Sequence, residues 1–295
     1  MRVGIELKEG DILRLSTKRL LFNRFVVIAI GAFCLLALLS WLFRSRYLNI
    51  AFMDMNAPDI RGHSEQARAF LMQGIFTFSN YMGSVFFATI NFLPFLSALL
   101  CMNFLSEKEG FFHFAYFRVS RYKKFVRKRI FQTLLISAAV MFAVYLMIIV
   151  IGLLISNVKV NPQDGTGMIT AFDDIVGNKK TPQLLVIRYL LDGVIKCILA
   201  PFCFGLLTIA TSFLTDKKYI PLIAPLAYYI LSTTFLDGLH LSLFSPELTI
   251  NFTIFTSVKN FHIYTYDALL PMLPLICFSI VVIEYKLRRG ERLGC

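Results

Sequence analysis

The chain has 295 residues, of which 57% are hydrophobic and 16% are charged, and its mean hydropathy is +0.68. A soluble domain carries roughly 45–50% apolar and about 25% charged residues, so this composition excludes a soluble globular protein. The net charge of +12 describes membrane topology better than nucleic-acid binding, and we expect no nucleic acid as a partner. The four His and six Cys have no metal-ligand spacing, so no metal site is predicted.

Long uncharged stretches follow one another along the chain. A helix that spans a bilayer needs about 20 mostly apolar residues. The sequence therefore predicts an all-α polytopic membrane protein with a single transmembrane domain over residues 1–295. Its six spans are predicted at about residues 25–43, 79–105, 130–155, 185–214, 219–236 and 269–283.

Most Lys and Arg lie in four regions: the two terminal tails, the segment between the second and third spans, and the connection between the fourth and fifth. With six spans, these regions are all on the same side of the membrane. Lys and Arg collect on the cytoplasmic side, so both termini are predicted to be cytoplasmic.

The fourth span alone carries charges, at Arg188, Asp192 and Lys196. Their spacing of four residues puts them on one helix face. They could line a substrate path or relay protons, or they could form a self-neutralising ladder with no transport role. A charge at the membrane centre costs about 2.5–3.5 kcal/mol, so Lys196 is expected to face protein or water.

The segment over residues 237–268 is too apolar for a solvated loop and too interrupted for a span, with Pro246 and Asn251 among its hydrophobic residues. Two interpretations remain open. Short half-helices could re-enter the membrane where protein or water covers them, or a hairpin could lie on the membrane surface.

The segment over residues 106–129 combines charged residues with an aromatic block at positions 111–117. A solvated loop would not carry so many aromatic side chains, which need a surface to bury against. That surface is either the lipid headgroup layer or a groove in a soluble partner.

With six spans and a charged, aromatic segment between the second and third, the chain resembles the membrane subunit of ABC exporters of the type-two class. The resemblance implies an amphipathic helix over residues 8–22, a coupling helix within residues 106–129 and a re-entrant hairpin over residues 239–261. The residues that it implies for coupling to an ATPase are Glu107, Glu109, Gly110, Phe111, Phe112, Phe114, Phe117, Arg118, Ser120 and Arg121.

The resemblance also implies parts that this chain lacks. The sequence has no P-loop and no hydrolase or protease motif, so it predicts no catalytic residue and no cofactor in this chain. A separate ABC ATPase, in two copies, would bind ATP and Mg. A second permease subunit, identical or related, would complete the complex within membrane lipid, in a bacterial plasma membrane by analogy.

In this family the second and fifth spans usually line the translocation path. In this chain the residues so implied are Asn80, Tyr81, Ser84, Asn91, Tyr228, Tyr229, Ser232 and Thr233. Ordinary hydrogen bonding between helices is the alternative for all eight.

The aromatic, mostly uncharged spans favour an amphipathic or hydrophobic cargo, such as a peptide, an antimicrobial or a drug, with lipid or glycolipid as further candidates. The rival functions are an ion-coupled transporter or channel that uses Asp192 and Lys196, a membrane enzyme, and a membrane scaffold or sensor.

Overall fold

The computed structural model describes residues 23–55, 57–58, 62–110, 112, 115, 121–156, 182–241, 244–250 and 269–289. The regular secondary structure in these ranges is helical. The amphipathic helix predicted at 8–22 and most of the hairpin predicted at 239–261 lie outside them. The helices are α1 (Arg24–Arg44), α2 (Tyr47–Ala51), α3 (Ser64–Ile75), α4 (Phe78–Thr89), α5 (Leu93–Glu109), α6 (Tyr122–Ile155), α7 (Pro182–Val194), α8 (Ala200–Leu214), α9 (Tyr219–Gly238), α10 (Pro246–Ile250) and α11 (Met272–Arg289).

Five helical stretches among the described residues are long and apolar enough to cross a membrane. They coincide with the first five predicted spans, and the protein is therefore a multi-pass helical membrane protein. These stretches are Arg24–Arg44, Phe78–Glu109, Tyr122–Ile155, Tyr189–Leu214 and Tyr219–Gly238.

The sixth predicted span coincides with α11, which differs from the other five. This helix has 18 residues, and its last turns carry Glu284, Lys286, Arg288 and Arg289. The apolar part that precedes Glu284 is therefore too short to cross a bilayer without its flanks.

The second span is not a continuous α-helix. Its first half, α4, ends in a 3₁₀ turn at Ile90–Phe92, and α5 begins at once with Pro94 in its first turn. Proline has no backbone N–H to donate and is best tolerated in the first turn of a helix, which explains the break at this point.

The fourth span is also interrupted. A π-helical turn at Ile195–Leu199 separates α7 from α8, and Pro201 lies in the first turn of α8. The missing N–H of Pro201 removes a hydrogen bond that a continuous α-helix would make there.

The protein interior lies around the second and fourth spans, which are mostly buried, whereas α9 is mostly exposed. The close contact between α5 and α8 depends on Gly205, since a Cβ atom at that position would lie 2.8 Å from Cys101 Sγ. Small residues at helix contacts are what allow membrane helices to approach each other.

Helix α1 packs mainly against α4. The Ser40 hydroxyl donates to the Ser84 carbonyl over 2.6 Å and accepts from the Ala88 N–H over 3.1 Å. The Phe33 and Phe86 rings meet edge to face, 6.4 Å apart. One polar group and two rings therefore fix this helix pair within an otherwise apolar contact.

Candidate functional site

Three consecutive residues end α5, and each binds a different element. The first, Glu107, accepts two hydrogen bonds from the Arg129 guanidinium of α6, one of them from Nε to Oε2 over 2.6 Å. The Arg129 side chain is 0% exposed. A guanidinium buried to this extent requires a paired carboxylate, and the bidentate geometry is the strong form of this pair. Glu107 therefore fastens the end of α5 to α6.

The second residue, Lys108, reaches the end of α8. Its Nζ donates to the Ser212 carbonyl over 2.6 Å and lies 3.5 Å from a carboxylate oxygen of Asp216. A cation is favoured at the C-terminal turn of a helix, where carbonyl groups have no helical donor. Lys108 is itself buried, so this contact is part of the packed interior.

The third residue, Glu109, binds Lys218 at 2.7 Å, and both side chains are about half exposed. An exposed ion pair contributes at most about 1 kcal/mol, so this contact adds little to the stability of the protein. Together with Lys108, it joins the end of α5 to the connection between α8 and α9.

A fourth ion pair at the same end links α6 to α11. Arg127 donates from Nε and Nη2 to the two carboxylate oxygens of Glu284, over 2.8 and 2.6 Å. We call the four pairs the charged end; it consists of Glu107, Lys108, Glu109, Arg127, Arg129, Asp216, Lys218 and Glu284. Only Glu107 and Glu109 of these eight were among the predicted site residues. The sequence signal for Asp216 and Glu284 is that each is an acidic residue in a basic flank, and the four basic residues have no signal beyond their place in those flanks.

Phe112 lies just beyond the charged end and is fully buried. Its ring meets Phe104 of α5 at 5.2 Å and Phe125 of α6 at 6.2 Å between centroids. The aromatic block was expected to bury against a partner or the headgroup layer, but the Phe112 side chain packs inside this chain. It cannot serve as a surface anchor in this conformation, and it holds the segment against α5 and α6 instead.

The structure describes two more of the predicted coupling residues. Gly110 and Arg121 are exposed. The remaining ones lie outside the described residues: Phe111, Phe114, Phe117, Arg118 and Ser120.

The fourth span contains a buried ion pair. Lys196 Nζ lies 2.7 Å from Asp192 Oδ2, and both side chains are at most 5% exposed. Lys196 stands in the π turn and Asp192 in the last turn of α7. Arg188 belongs to α7, but its side chain lies outside the described part of the chain. The two charges offset each other within a single helix, in a place that excludes water.

Tyr145 of α6 covers this pair from the neighbouring helix. Its hydroxyl donates to the Tyr189 carbonyl over 2.5 Å. The ring lies directly against Gly193, where any Cβ atom would overlap it. Glycine is therefore the only residue type that fits at position 193 while Tyr145 keeps its position.

The polar residues predicted to line a path mostly bond to nearby groups. Tyr229 donates to Asn91 Oδ1 over 3.1 Å, which joins α9 to the 3₁₀ turn of the second span. Ser84 donates to Asn80 Oδ1 over 3.4 Å. These contacts are the hydrogen bonds between and within helices that the alternative interpretation predicts.

Two more of the predicted path residues, Ser232 and Thr233, also bond to nearby groups. Ser232 donates to the Tyr228 carbonyl over 2.5 Å, and Thr233 accepts from Ser245 over 3.3 Å. Tyr81 packs against Gly152, where a Cβ atom would lie 2.7 Å from its ring.

No protein-family model, curated protein or solved structure matches the chain. The described residues also contain no group of three or more His, Cys, Asp or Glu side chains that could hold a metal ion. The charged end and the buried Asp192–Lys196 pair are the two arrangements of charged side chains in the described residues that bear on function.

Proposed function

We propose that this protein is the membrane subunit of an ATP-driven exporter of the type-two ABC class. A separate ATPase, in two copies, would bind ATP and Mg and dock on the segment over residues 106–129. The observation that carries the proposal is the attachment of this segment at its start, where Glu107 binds α6, Lys108 binds the last turn of α8 and Glu109 binds the connection between α8 and α9.

Such an attachment can convey a displacement from the segment to the spans. A push on the segment would move α6 through the buried Glu107–Arg129 pair and the end of α8 through Lys108. Breaking the first pair would leave the buried Arg129 guanidinium without its carboxylate, so the connected helices would move together rather than separate. ATP binding would then shift the spans between two arrangements, each favoured by a different nucleotide state.

The proposal includes a topology. The charged end and both termini would be cytoplasmic, because basic residues are concentrated there. Helix α11 would act as the sixth span, with the basic residues of its last turns in the headgroup layer. Residues 239–261 would form the outer hairpin, and residues 8–22 would lie on the inner membrane surface.

A second permease subunit, identical or related, would pair with this one. Helix α9 leaves room for a partner, since its buried face is a narrow stripe of Pro221, Pro225 and Tyr229. Its exposed large apolar side chains are Tyr219, Ile220, Ile223, Ile230, Leu231 and Phe235. The cargo would be amphipathic or hydrophobic, such as a peptide, an antimicrobial or a drug, with lipid or glycolipid as alternatives.

The test is to purify the tagged full chain from its own host in mild detergent and identify co-purifying proteins by mass spectrometry. We expect a soluble P-loop ATPase in stoichiometric amount. Arg121 lies within the segment, just before α6, and the Arg121→Glu variant should reduce recovery of the ATPase. Lys217→Glu makes the same charge change in the connection between α8 and α9 and serves as the matched control. Recovery of the chain alone in every detergent would contradict the proposal.

The buried Asp192–Lys196 pair favours one other candidate, an ion-coupled transporter. That function would need no ATPase. It can be tested with the full chain in proteoliposomes that contain a pH-sensitive dye and carry an imposed pH gradient. Proton movement that disappears in the Asp192→Asn variant and stays absent in the more stable double variant with Lys196→Gln would favour ion coupling. An unchanged signal would exclude proton coupling through Asp192.

A further inference from the structure

A cavity of about 260 Å³ lies between α1, α4 and α6. Its lining is almost entirely apolar. Apolar cavities of roughly 150 Å³ already bind a benzene molecule, so this space is large enough for a hydrocarbon ligand. The lining residues that matter for the argument are Cys34, Trp41, Phe76, Met147, Ile151 and Ile155.

The cavity opens sideways, towards the surface that faces the membrane. Met147 is 43% exposed, Ile151 37% and Ile155 51%, and all three lie along one side of α6. No headgroup or water is needed to fill such a space, since the surroundings at this depth are lipid chains. An opening of this kind admits a chain from the bilayer without crossing a polar barrier.

The shape of the cavity follows the helix axis. On α1 it extends from Cys34 to Trp41, which corresponds to about 10 Å at 1.5 Å per residue. On α6 it extends over a similar length, from Met147 to Ile155. A long, narrow apolar space of this kind fits part of an extended hydrocarbon chain better than a compact ring system.

One end of the cavity has the chemistry of a membrane–water interface. Trp41 stacks on Tyr47 with ring centroids 5.3 Å apart, and Phe76 lies 6.1 Å from Trp41. Arg44 ends α1 within one turn of Trp41. Trp and Tyr are enriched at the level of the lipid headgroups, so this end lies where the glycerol esters of a bilayer lie.

Trp41 also has an unused donor at that end. Its indole Nε1–H is buried, and no described residue accepts a hydrogen bond from it. Buried donors almost always have an acceptor, and one that is left without a partner destabilises the protein. A lipid ester carbonyl is an acceptor of the right chemistry at the right depth.

We propose that this cavity binds one acyl chain of a membrane glycerophospholipid, with an ester carbonyl of that lipid accepting the hydrogen bond of the Trp41 indole. The proposal does not depend on the exporter function, because it rests only on the cavity, its membrane-facing opening and the unused donor. The N–H is covered in this structure, so the indole must turn towards the cavity for this hydrogen bond to form.

Trp41 is the one Trp of the chain, so its fluorescence reports this site alone. The test uses the full chain, purified in detergent and freed of lipid, and titrated with phosphatidylcholine that carries bromine on its acyl chains. We expect quenching that saturates at one lipid per protein. Bromine near the ester should quench more strongly than bromine near the chain terminus, because Trp41 lies at the interface end.

A pair of variants on α6 separates this site from the general lipid surface. Ile151→Phe fills the cavity and should abolish saturable quenching. Val150→Phe is the matched control, since Val150 is 53% exposed on the same helix and does not line the cavity. Quenching that rises without saturation, or that is equal in the two variants, would overturn the proposal.

Two further measurements cover the remaining outcomes. The Trp41→Phe variant keeps an aromatic ring but has no N–H, and native mass spectrometry should detect less retained phospholipid than in the unaltered protein. Equal retention in the two proteins would mean that the Trp41 N–H does not bind the lipid, which contradicts the proposal. If the emission of Trp41 instead depended on protein concentration and not on lipid, the cavity would hold a second copy of the chain, and the lipid assignment would be wrong.

Discussion

The Arg129 guanidinium, at the start of the third span, is held by the Glu107 carboxylate at the end of the second. The two residues are separated by the segment that is proposed to meet an ATPase. The pair therefore closes this segment into a loop whose two ends are held together. Any force on the loop reaches both helices at once.

We expect Glu107→Gln to lower the free energy of unfolding by about 3–5 kcal/mol, because it leaves the buried Arg129 charge without its carboxylate. Thermal unfolding of the purified protein in detergent would measure the loss. The double variant Glu107→Gln with Arg129→Met should recover much of the stability. Glu109→Gln is the control, and its half-exposed pair with Lys218 predicts a change below about 1 kcal/mol. Similar losses for Glu107→Gln and Glu109→Gln would contradict the assignment.

Gly193→Ala should destabilise the protein markedly, because the added methyl group overlaps the Tyr145 ring. Overpacking of this kind typically costs about 1–3 kcal/mol. Gly83→Ala is the matched control in another span, since nothing lies within 4 Å of a Cβ atom there. Helix propensity predicts that Gly83→Ala is neutral or stabilising by up to about 1 kcal/mol. The comparison requires only melting temperatures, and rescue of Gly193→Ala by Tyr145→Ala would identify the ring as the cause.

Asp192→Asn and Lys196→Gln each leave a buried charge, so each single change should cost about 3–5 kcal/mol. The double variant should be more stable than either single variant, and a double-mutant cycle gives the coupling directly. Transport by the double variant then separates the two interpretations of the pair. Restored stability with restored transport indicates a structural pair, whereas restored stability without transport indicates a functional one.

Phe112→Ala should reduce stability by roughly 3–5 kcal/mol even when no ATPase is present, because its ring is buried among Phe104 and Phe125. The same assay on Phe112→Leu should give a smaller loss, since more of the buried volume is kept. If neither variant changed the melting temperature, Phe112 would not be packed inside the protein, and its role as a surface anchor would be restored.

The first five spans could be predicted from sequence because each is a continuous apolar stretch of sufficient length. The ends and breaks within them depend on other elements. Pro94 and Pro201 are visible in the sequence, but a proline near a helix start gives no indication of whether a 3₁₀ turn or a π turn precedes it. The sixth predicted span, 269–283, ended before Glu284, so the sequence prediction did not include the charged last turns of α11.

The charged end was harder to predict because its pairs join residues that are distant in the chain. Arg127 and Glu284 are 157 positions apart, and no local spacing brings them together. The aromatic block was expected to need a surface outside the chain, yet Phe112 finds that surface on α5 and α6. Composition indicates that a side chain must be buried, but it does not indicate against what.

The π turn at Ile195–Leu199 has a consequence for the second half of the fourth span. A π turn holds one residue more than an α-helical turn, so every side chain after it is rotated by about 100° around the axis. Gly205 faces Cys101, and Ser212 faces Lys108, only with that rotation in place. Straightening this turn into a regular α-helix with the same number of residues would therefore unseat a helix contact and a charge contact that lie several turns away, whereas deleting one residue from it would leave both in register.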